Sequence, residues 1–235
     1  MVIGGLQKLS LVDYPNKVAA IVFTQGCLFR CPYCHNPELI PVAPEGAVGQ
    51  ACLLEGDILN YLEEKKHFLD GVSITGGEPT IHHDLPEFIK KIKDLGLLVK
   101  LDTSGVNPRM IQKLIDEKLV DYFAMDLKNS WENYAEVIKI SNDNLIKNCQ
   151  KTFSLIQNSG IDHEFRTTVF PEAHTPADFF KIAGYLQKGE KYYIQNIEFK
   201  KNLDKNIDRT KLINVTGLVK NLRDKFPALV ISERK

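Results

Sequence analysis

Short apolar segments alternate with amphipathic segments along most of the chain, and this order predicts alternating strands and helices. Strands are predicted at 18–24, 72–75, 97–102, 121–126, 162–169 and 191–199. Helices are predicted at 57–69, 85–95, 108–118, 142–158 and 176–187, and a last helix at 212–225 precedes a short strand at 228–232. Pro108 and Pro176 fall at predicted helix starts, and Gly96 and Gly160 fall at predicted helix ends.

The first 50 residues follow a different pattern. Residues 6–11 and 17–24 are predicted to form a hairpin, with its turn at 13–16. Residues 35–50 are rich in proline and glycine, and we expect them to form a loop packed over the segment that follows the hairpin.

Strands and helices in alternation imply a parallel sheet with right-handed crossovers. We predict one α/β domain over residues 1–235, with the N-terminal hairpin leading into it. Six main strands can curve towards a barrel or lie in a doubly wound sheet, and the pattern alone leaves both architectures open.

Composition excludes some classes of function. Lys plus Arg and Asp plus Glu both number 30, so no net field attracts nucleic acid or an anionic membrane. The apolar run 18–23 is too short to cross a bilayer, and no secretory signal is evident. Three of the five cysteines fall in one segment, which is unlike a disulfide scaffold and favours the reducing cytoplasm.

That segment carries the motif Cys27-x3-Cys31-x2-Cys34 directly after a predicted strand. Three thiolates on one loop can bind a zinc ion or an iron–sulfur cluster and leave one metal position without a protein ligand. His35 is too close to Cys34 for the usual spacing of a zinc ligand, and Cys52 is far away. A zinc knuckle or three free thiols remain the alternatives at this point.

The motif, followed by Gly76-Gly77-Glu78-Pro79, resembles the radical S-adenosylmethionine (SAM) superfamily. The resemblance implies a partial (β/α)6 barrel and a 4Fe–4S cluster bound by Cys27, Cys31 and Cys34. In that family the open iron binds the amine and carboxylate of SAM, and one electron from the cluster breaks the sulfur–C5′ bond to give a 5′-deoxyadenosyl radical.

Further candidates for binding the cofactor lie at the carboxyl ends of the predicted strands, where the sites of parallel α/β folds are found. By the resemblance, Tyr33 lies near the adenine and the Gly-Gly-Glu segment near the methionyl amine. The same comparison adds a group of polar residues that ends the later strands: Asp102, Ser104, Asp126 and Lys128. Arg166 lies in a β-branched strand, and we expect it to meet a carboxylate, either Asp126 or the substrate.

Structural explanations compete with these roles. Asp102 and Ser104 could cap the following helix, Asp126 and Lys128 could form a structural ion pair, and Tyr33 could pack under a loop. His82 and His83 are expected to face solvent, and Cys52 and Cys149 to be ordinary thiols.

The strings Ile3-Gly4-Gly5-Leu6-Gln7-Lys8, Asp13-Tyr14-Pro15 and His35-Asn36-Pro37-Glu38-Leu39 resemble the activases of glycyl-radical enzymes, in particular the activating proteins of anaerobic ribonucleoside-triphosphate reductase. This implies a glycyl-radical enzyme as the protein substrate and an external electron donor resembling flavodoxin or ferredoxin. Activation of pyruvate formate-lyase is an alternative, as is radical chemistry on a small molecule of the 7-carboxy-7-deazaguanine synthase type. The charged loop 200–205 is a candidate docking site.

Overall fold

Eight strands form one sheet in the computed structural model, which describes residues 1–40 and 52–234. The strands are β1 (Ile3–Ser10), β2 (Ala19–Thr24), β3 (Gly71–Gly76), β4 (Leu98–Thr103), β5 (Tyr122–Asp126), β6 (Asp162–Thr168), β7 (Lys191–Gln195) and β8 (Val230–Arg234). Each predicted strand is confirmed with its ends shifted by a few residues. The largest change is in β7, which stops at Gln195 where its pairing with β8 ends.

The strand order is sequential from β1 to β8. β1 pairs antiparallel with β2, and every later pair is parallel. Because the order never reverses, the doubly wound alternative is excluded. In the described part of the chain β1 and β8 do not pair, so the sheet is not closed. The six strands β2–β7 form the predicted partial barrel, and β8 adds a seventh parallel strand.

The helices that cover the sheet are α1 (Glu55–Lys65), α2 (Leu85–Asp94), α3 (Pro108–Asp116), α4 (Tyr134–Ile138), α5 (Asp143–Gln157), α6 (Pro176–Tyr185) and α7 (Val215–Lys225). The six predicted helices are confirmed, and α1 ends at Lys65, earlier than predicted. The short helix α4 was not predicted, nor were the 3-10 helices Pro37–Leu39, Pro79–Ile81 and Trp131–Asn133.

Helix starts follow the proline signals in the sequence. Pro176 begins α6, where Thr175 and Asp178 form a capping box. Pro108 begins α3 next to its cap Asn107, whose side chain accepts a hydrogen bond from the Met110 N–H. The ends of β4 and β6 are therefore followed by helices whose first turns are fixed.

Side chains alternate between the two faces of the sheet. Val99 and Leu101 of β4, like Phe165 of β6, belong to the buried apolar layer that includes the helices. Lys100 and Arg166 lie on the opposite, inner face, where they meet acidic side chains. The inside of the partial barrel is therefore polar. The candidate site lies at the end of the barrel where the parallel strands have their carboxyl ends.

Residues 41–51 and 235 lie outside the described residues, and so does most of the predicted loop at 35–50. The single-domain boundary at 1–235 stays a prediction. Within the described ranges, no helix is both long and apolar enough to span a bilayer.

Candidate active site

A cavity at the carboxyl ends of the strands brings together residues that lie far apart in the sequence. It is lined by all the predicted site residues except Glu78: Cys27, Cys31, Tyr33, Cys34, Gly76, Gly77, Asp102, Ser104, Asp126, Lys128 and Arg166. Five strand ends or following loops contribute, from the loop after β2 to the end of β6. His35, Asn36 and Ile40 also line it, as do Thr75, Thr103 and Thr168, and sequence reasoning gave these residues no role.

The loop that carries the cysteines is fixed by its own backbone. The N–H groups of Gly26 and Cys27 donate to the carbonyls of Leu39 and Ile40 at 2.7 and 3.1 Å. The Cys34 N–H donates to the Cys31 carbonyl at 3.0 Å. These bonds hold the three thiols on the same side of the loop, facing the cavity.

The three thiols are close enough to influence each other electrostatically. Burial raises the pKa of Cys27 to about 11 and that of Cys31 to about 12, and the neighbouring thiols add to both shifts while Lys128 opposes them. The pKa of Cys34 is also raised, mainly by burial. The buried Cys31 and the half-buried Cys27 and Cys34 become a soft, anionic donor set once a metal displaces their protons.

Among residues 1–40 and 52–234, no three His, Cys, Asp or Glu side chains converge closely enough to chelate one metal ion. A cluster differs from a single ion because each thiolate binds a different iron. The arrangement of Cys27, Cys31 and Cys34 around one cavity fits a cluster of that kind.

Gly76 and Gly77 allow the end of β3 to touch the start of the cysteine loop. A Cβ on Gly77 would lie 2.1 Å from the Gly26 carbonyl oxygen, and one on Gly76 would lie 2.4 Å from the Thr24 nitrogen. Gly76 also has a φ of +114°, which favours glycine. The Glu78 N–H then donates to the Gly26 carbonyl at 2.7 Å. The glycines thus join two loops of the site, in addition to the position near the methionyl amine that the resemblance implies for them.

The carboxylate of Glu78 does not line the cavity. It is fully buried and accepts hydrogen bonds from the Thr103 hydroxyl at 2.8 Å, from the Ser104 N–H at 2.7 Å and from Thr80. The Ser104 hydroxyl donates to it as well. Glu78 therefore ties the end of β3 to the end of β4, and in this structure its oxygens are engaged by protein donors rather than directed at the cavity.

The capping explanation for Asp102 and Ser104 is wrong, because α3 is capped by Asn107. Asp102 faces Arg166 instead, whose Nη1 lies 3.1 Å from Asp102 Oδ2. The Ser104 side chain is turned towards Glu78.

Arg166 meets Asp126, as predicted, and adds Asp102 as a second partner. Arg166 Nε lies 2.8 Å from Asp126 Oδ1, and Lys128 Nζ lies 2.9 Å from Asp126 Oδ2. Burial alone would raise the pKa of Asp126, but Arg166 and Lys128 outweigh it and hold that pKa well below its ordinary value. Burial would also raise the pKa of Asp102, but Arg166 and Lys100 together outweigh it and lower that pKa. Both carboxylates are ionised at neutral pH.

The segment that carries Lys128 is held by residues that sequence reasoning did not identify. His174 Nε2 lies 2.7 Å from the Lys128 carbonyl oxygen, and the Thr167 hydroxyl donates to the Leu127 carbonyl at 2.8 Å. The Lys128 ammonium lies 5.9 Å from the centre of the Tyr33 ring, which packs against Phe170. In the described residues the buried Tyr33 hydroxyl has no hydrogen-bond partner.

His82 and His83 were both expected to face solvent, and this is wrong for His82. His82 is buried, and its Nε2 lies 2.7 Å from the Gln25 carbonyl oxygen, so it supports the start of the cysteine loop. His83 is exposed as expected. Cys52 is exposed and Cys149 is buried.

Comparison with known proteins identifies the family. The sequence profile described as Radical SAM superfamily matches residues 21–183, most of the chain and all of the cysteine loop. The chain belongs to the radical SAM superfamily. It is an enzyme of that oxidoreductase class, and the predicted barrel type agrees with this membership.

Relatives and solved structures refine the comparison. A Methanocaldococcus jannaschii protein assigned as a glycyl-radical enzyme activating enzyme is 35% identical over 205 residues, which are 86% of this chain and 82% of that protein. The pyruvate formate-lyase-activating enzyme of Staphylococcus aureus is 31% identical over 134 residues, 53% of this chain and 51% of that enzyme.

Among solved structures, Streptococcus suis SuiB matches with a TM-score of 0.68 at 13% identity, over 92% of this chain. This chain spans about half of SuiB, with 48% covered. The structure of anSMEcpe with bound AdoMet matches with a TM-score of 0.63 at 15% identity, over 90% of this chain and 61% of that one. At such identities these matches show the fold alone.

Proposed function

We propose that this radical SAM enzyme is an activase that generates a glycyl radical on a partner enzyme. One observation carries the proposal: Cys27, Cys31 and Cys34 line one cavity together with Asp102, Asp126, Lys128 and Arg166. The relatedness over most of the chain to a protein assigned as a glycyl-radical enzyme activating enzyme supports a protein substrate rather than a small molecule.

The three thiols would hold a 4Fe–4S cluster as thiolates, and Lys128 would offset part of their negative charge. When bound, the cluster supplies the single electron that cleaves SAM. The overall products are methionine, 5′-deoxyadenosine and a partner whose glycine has lost one hydrogen atom. The chain's own residues bind and orient these reactants.

Recognition of SAM is assigned to the polar residues of the cavity. The ionised carboxylates of Asp102 and Asp126 offer acceptors for cationic or hydroxyl groups, and Lys128 offers donors for a carboxylate. Tyr33 presents a buried aromatic ring beside Lys128 and suits contact with a flat base. Gly76, Gly77 and Ser104 line the cavity wall, and Glu78 acts by holding that wall in place.

The proposed partner is anaerobic ribonucleoside-triphosphate reductase, and the proposed electron donor is a flavodoxin or ferredoxin-like protein. The N-terminal strings quoted above carry this choice of partner. Pyruvate formate-lyase is the second candidate, because its activating enzyme in Staphylococcus aureus is a relative. We place the reaction in the cytoplasm, where cysteine thiols stay reduced.

The test is anaerobic incubation of the cluster-loaded enzyme with SAM, a reductant and each candidate partner in turn. A glycyl radical doublet in electron paramagnetic resonance spectra, formed on the reductase alone, is the expected result. A doublet on pyruvate formate-lyase alone selects the second candidate. Cofactor cleavage with no radical on either protein rejects both partners and points to a small-molecule substrate.

The loop 200–205 is a docking candidate because it lies against the cysteine loop. The Asp204 N–H donates to the Pro32 carbonyl at 2.9 Å, and the Asn202 amide donates to the Tyr33 carbonyl at 3.3 Å. Lys201 pairs with Glu38, whereas Lys200 and Lys205 are exposed. The variant K200E/K205E should weaken partner activation but spare SAM cleavage without a partner, and K220E on α7 is the control. Unchanged activation rejects this loop as the docking site.

A further inference from the structure

Lys100 lies beneath the cavity without lining it. It is two residues before Asp102 on β4, so both side chains point to the inner face of the sheet. Its side chain is 2% exposed, and its ammonium forms an ion pair with Asp102 Oδ1. Its register neighbours are Ser73 of β3 and Tyr122 of β5, both buried. The charge is therefore removed from water, and its anionic partner is a residue of the cavity wall.

This ion pair is one end of an alternating row of charges. The row runs through Lys100, Asp102, Arg166, Asp126 and Lys128. Each carboxylate uses one oxygen for each of its two cations, since Asp102 binds Lys100 through Oδ1 and Arg166 through Oδ2. Four members of the row line the cavity, and Lys100 is the buried end.

The position of Arg166 depends on Asp102. Apart from Asp102 and Asp126, the anion near Arg166 is Glu164, which lies 4.0 Å from Arg166 Nη1. Its oxygens are already held by Arg234 at 2.6 and 2.9 Å and by the Tyr122 hydroxyl at 3.0 Å. If Lys100 were lost, Arg166 would be the single cationic partner of Asp102 and would be drawn away from Asp126.

A buried lysine is a poor way to stabilise a fold, because removing an ammonium from water costs about as much as its ion pair returns. An apolar residue at position 100 would pack against β3 and β5 without the cost of removing a charge from water. A charge at this position makes sense if the site needs Asp102 ionised and turned towards Arg166.

We propose that Lys100 is a positioning residue for SAM binding. It acts through Asp102 and holds the charged side chains of the cavity row in their observed positions. The proposal rests on the proposed function, because it takes the cavity to be the SAM site. It gives a role to a residue that would not touch SAM.

The first test measures SAM binding to the anaerobically reconstituted enzyme by equilibrium dialysis, with iron and sulfide content determined for each variant. K100M should raise the Kd for SAM by about tenfold and leave iron and sulfide content unchanged. The control is K93M, which removes a lysine paired with Asp121 at the opposite end of the sheet. K93M should bind SAM as the wild type does.

A double-mutant cycle separates positioning from a general structural effect. D102N weakens binding, and K100M/D102N should bind SAM with the same Kd as D102N alone because the path through Asp102 is already lost. The double variant replaces the buried pair by two neutral side chains, so its comparison with D102N remains informative even if K100M alone does not fold.

Wild-type affinity in K100M overturns the inference, and so does a further loss of affinity from K100M in the D102N background. If the wild-type enzyme itself binds no SAM, the proposed function fails instead. The two failures are thus distinguished in one experiment.

Discussion

His174 Nε2 lies 2.7 Å from the carbonyl oxygen of Lys128, and this bond links the loop after β6 to the segment after β5. The Phe170 N–H donates to the other ring nitrogen, Nδ1, at 2.9 Å. Nδ1 must therefore be unprotonated, and the proton of the neutral ring lies on Nε2. A second proton on Nδ1 would face the Phe170 N–H and break the hydrogen bond between them.

Stability should consequently fall in mild acid. Burial lowers the pKa of His174 to about 4, against an ordinary value near 6.5. Between these values the unfolded chain binds a proton that the folded chain does not, so the free energy of unfolding decreases as the pH falls from about 6.5 to about 4, by up to about 3 kcal/mol.

Urea unfolding of the wild type and of H174Q across this range tests the prediction. Carboxylates also titrate near pH 4, so the informative quantity is the difference between the two curves. The difference in the free energy of unfolding between the wild type and H174Q should shrink as the pH falls. Parallel curves would assign no such role to His174.

Substitution of Gly77 should damage the cluster site more than the fold as a whole. G77A places a Cβ 2.1 Å from the Gly26 oxygen, so the cysteine loop must move away from β3. Iron and sulfide bound after reconstitution should drop to a small fraction of the wild-type amount.

The control for Gly77 is G184A, since a Cβ on Gly184 in α6 meets nothing within 4 Å. G184A should retain full cluster content and gain about 0.5–1 kcal/mol of stability from the better helix propensity of alanine. Full cluster content in G77A would show that the loop does not depend on this close approach.

Loss of Arg234 should destabilise the fold. Glu164 is fully buried, and Arg234 binds both of its oxygens. R234M leaves that carboxylate without its main counterion and should lower the free energy of unfolding by about 3 kcal/mol. The double variant E164Q/R234M should recover part of this loss in chemical denaturation, because no buried charge is left unpaired. Equal stability of R234M and wild type would contradict the role of Arg234 as the main counterion of Glu164.

The thiols of the cluster-free enzyme should differ in reactivity. Cys52 is exposed, whereas burial raises the pKa of Cys27 to about 11 and that of Cys31 to about 12. At pH 7, iodoacetamide should modify Cys52 first, since thiolates are the reactive form. Mass spectrometry of peptides gives the order of modification, and earlier modification of Cys31 than of Cys52 would refute it.

Much of the barrel follows from local patterns in the sequence. The apolar strands and the proline and glycine boundaries predict the six main helices and the parallel strands because these signals act over a few residues. Helix α4 was not predicted from the sequence because it is short and is stabilised by the burial of Tyr134, Val137 and Ile138, which is a tertiary effect.

For the site, the sequence indicated which residues gather but not how they pair. A lone arginine in a buried strand needs a carboxylate, so its contact with Asp126 was predictable. The direction of the Glu78 side chain was not, because its partners Thr103 and Ser104 come from the next strand. His174 follows the turn 171–173 and belongs to no motif, and its bond to Lys128 exists only in the folded chain.

Product analysis tests whether the three thiols hold a cluster that cleaves SAM. The anaerobically reconstituted enzyme is incubated with SAM and a strong one-electron reductant, and 5′-deoxyadenosine is quantified, with a C31A variant as the control. The wild type should form 5′-deoxyadenosine and C31A should form none. A wild-type enzyme with full iron and sulfide content that leaves SAM intact would contradict it.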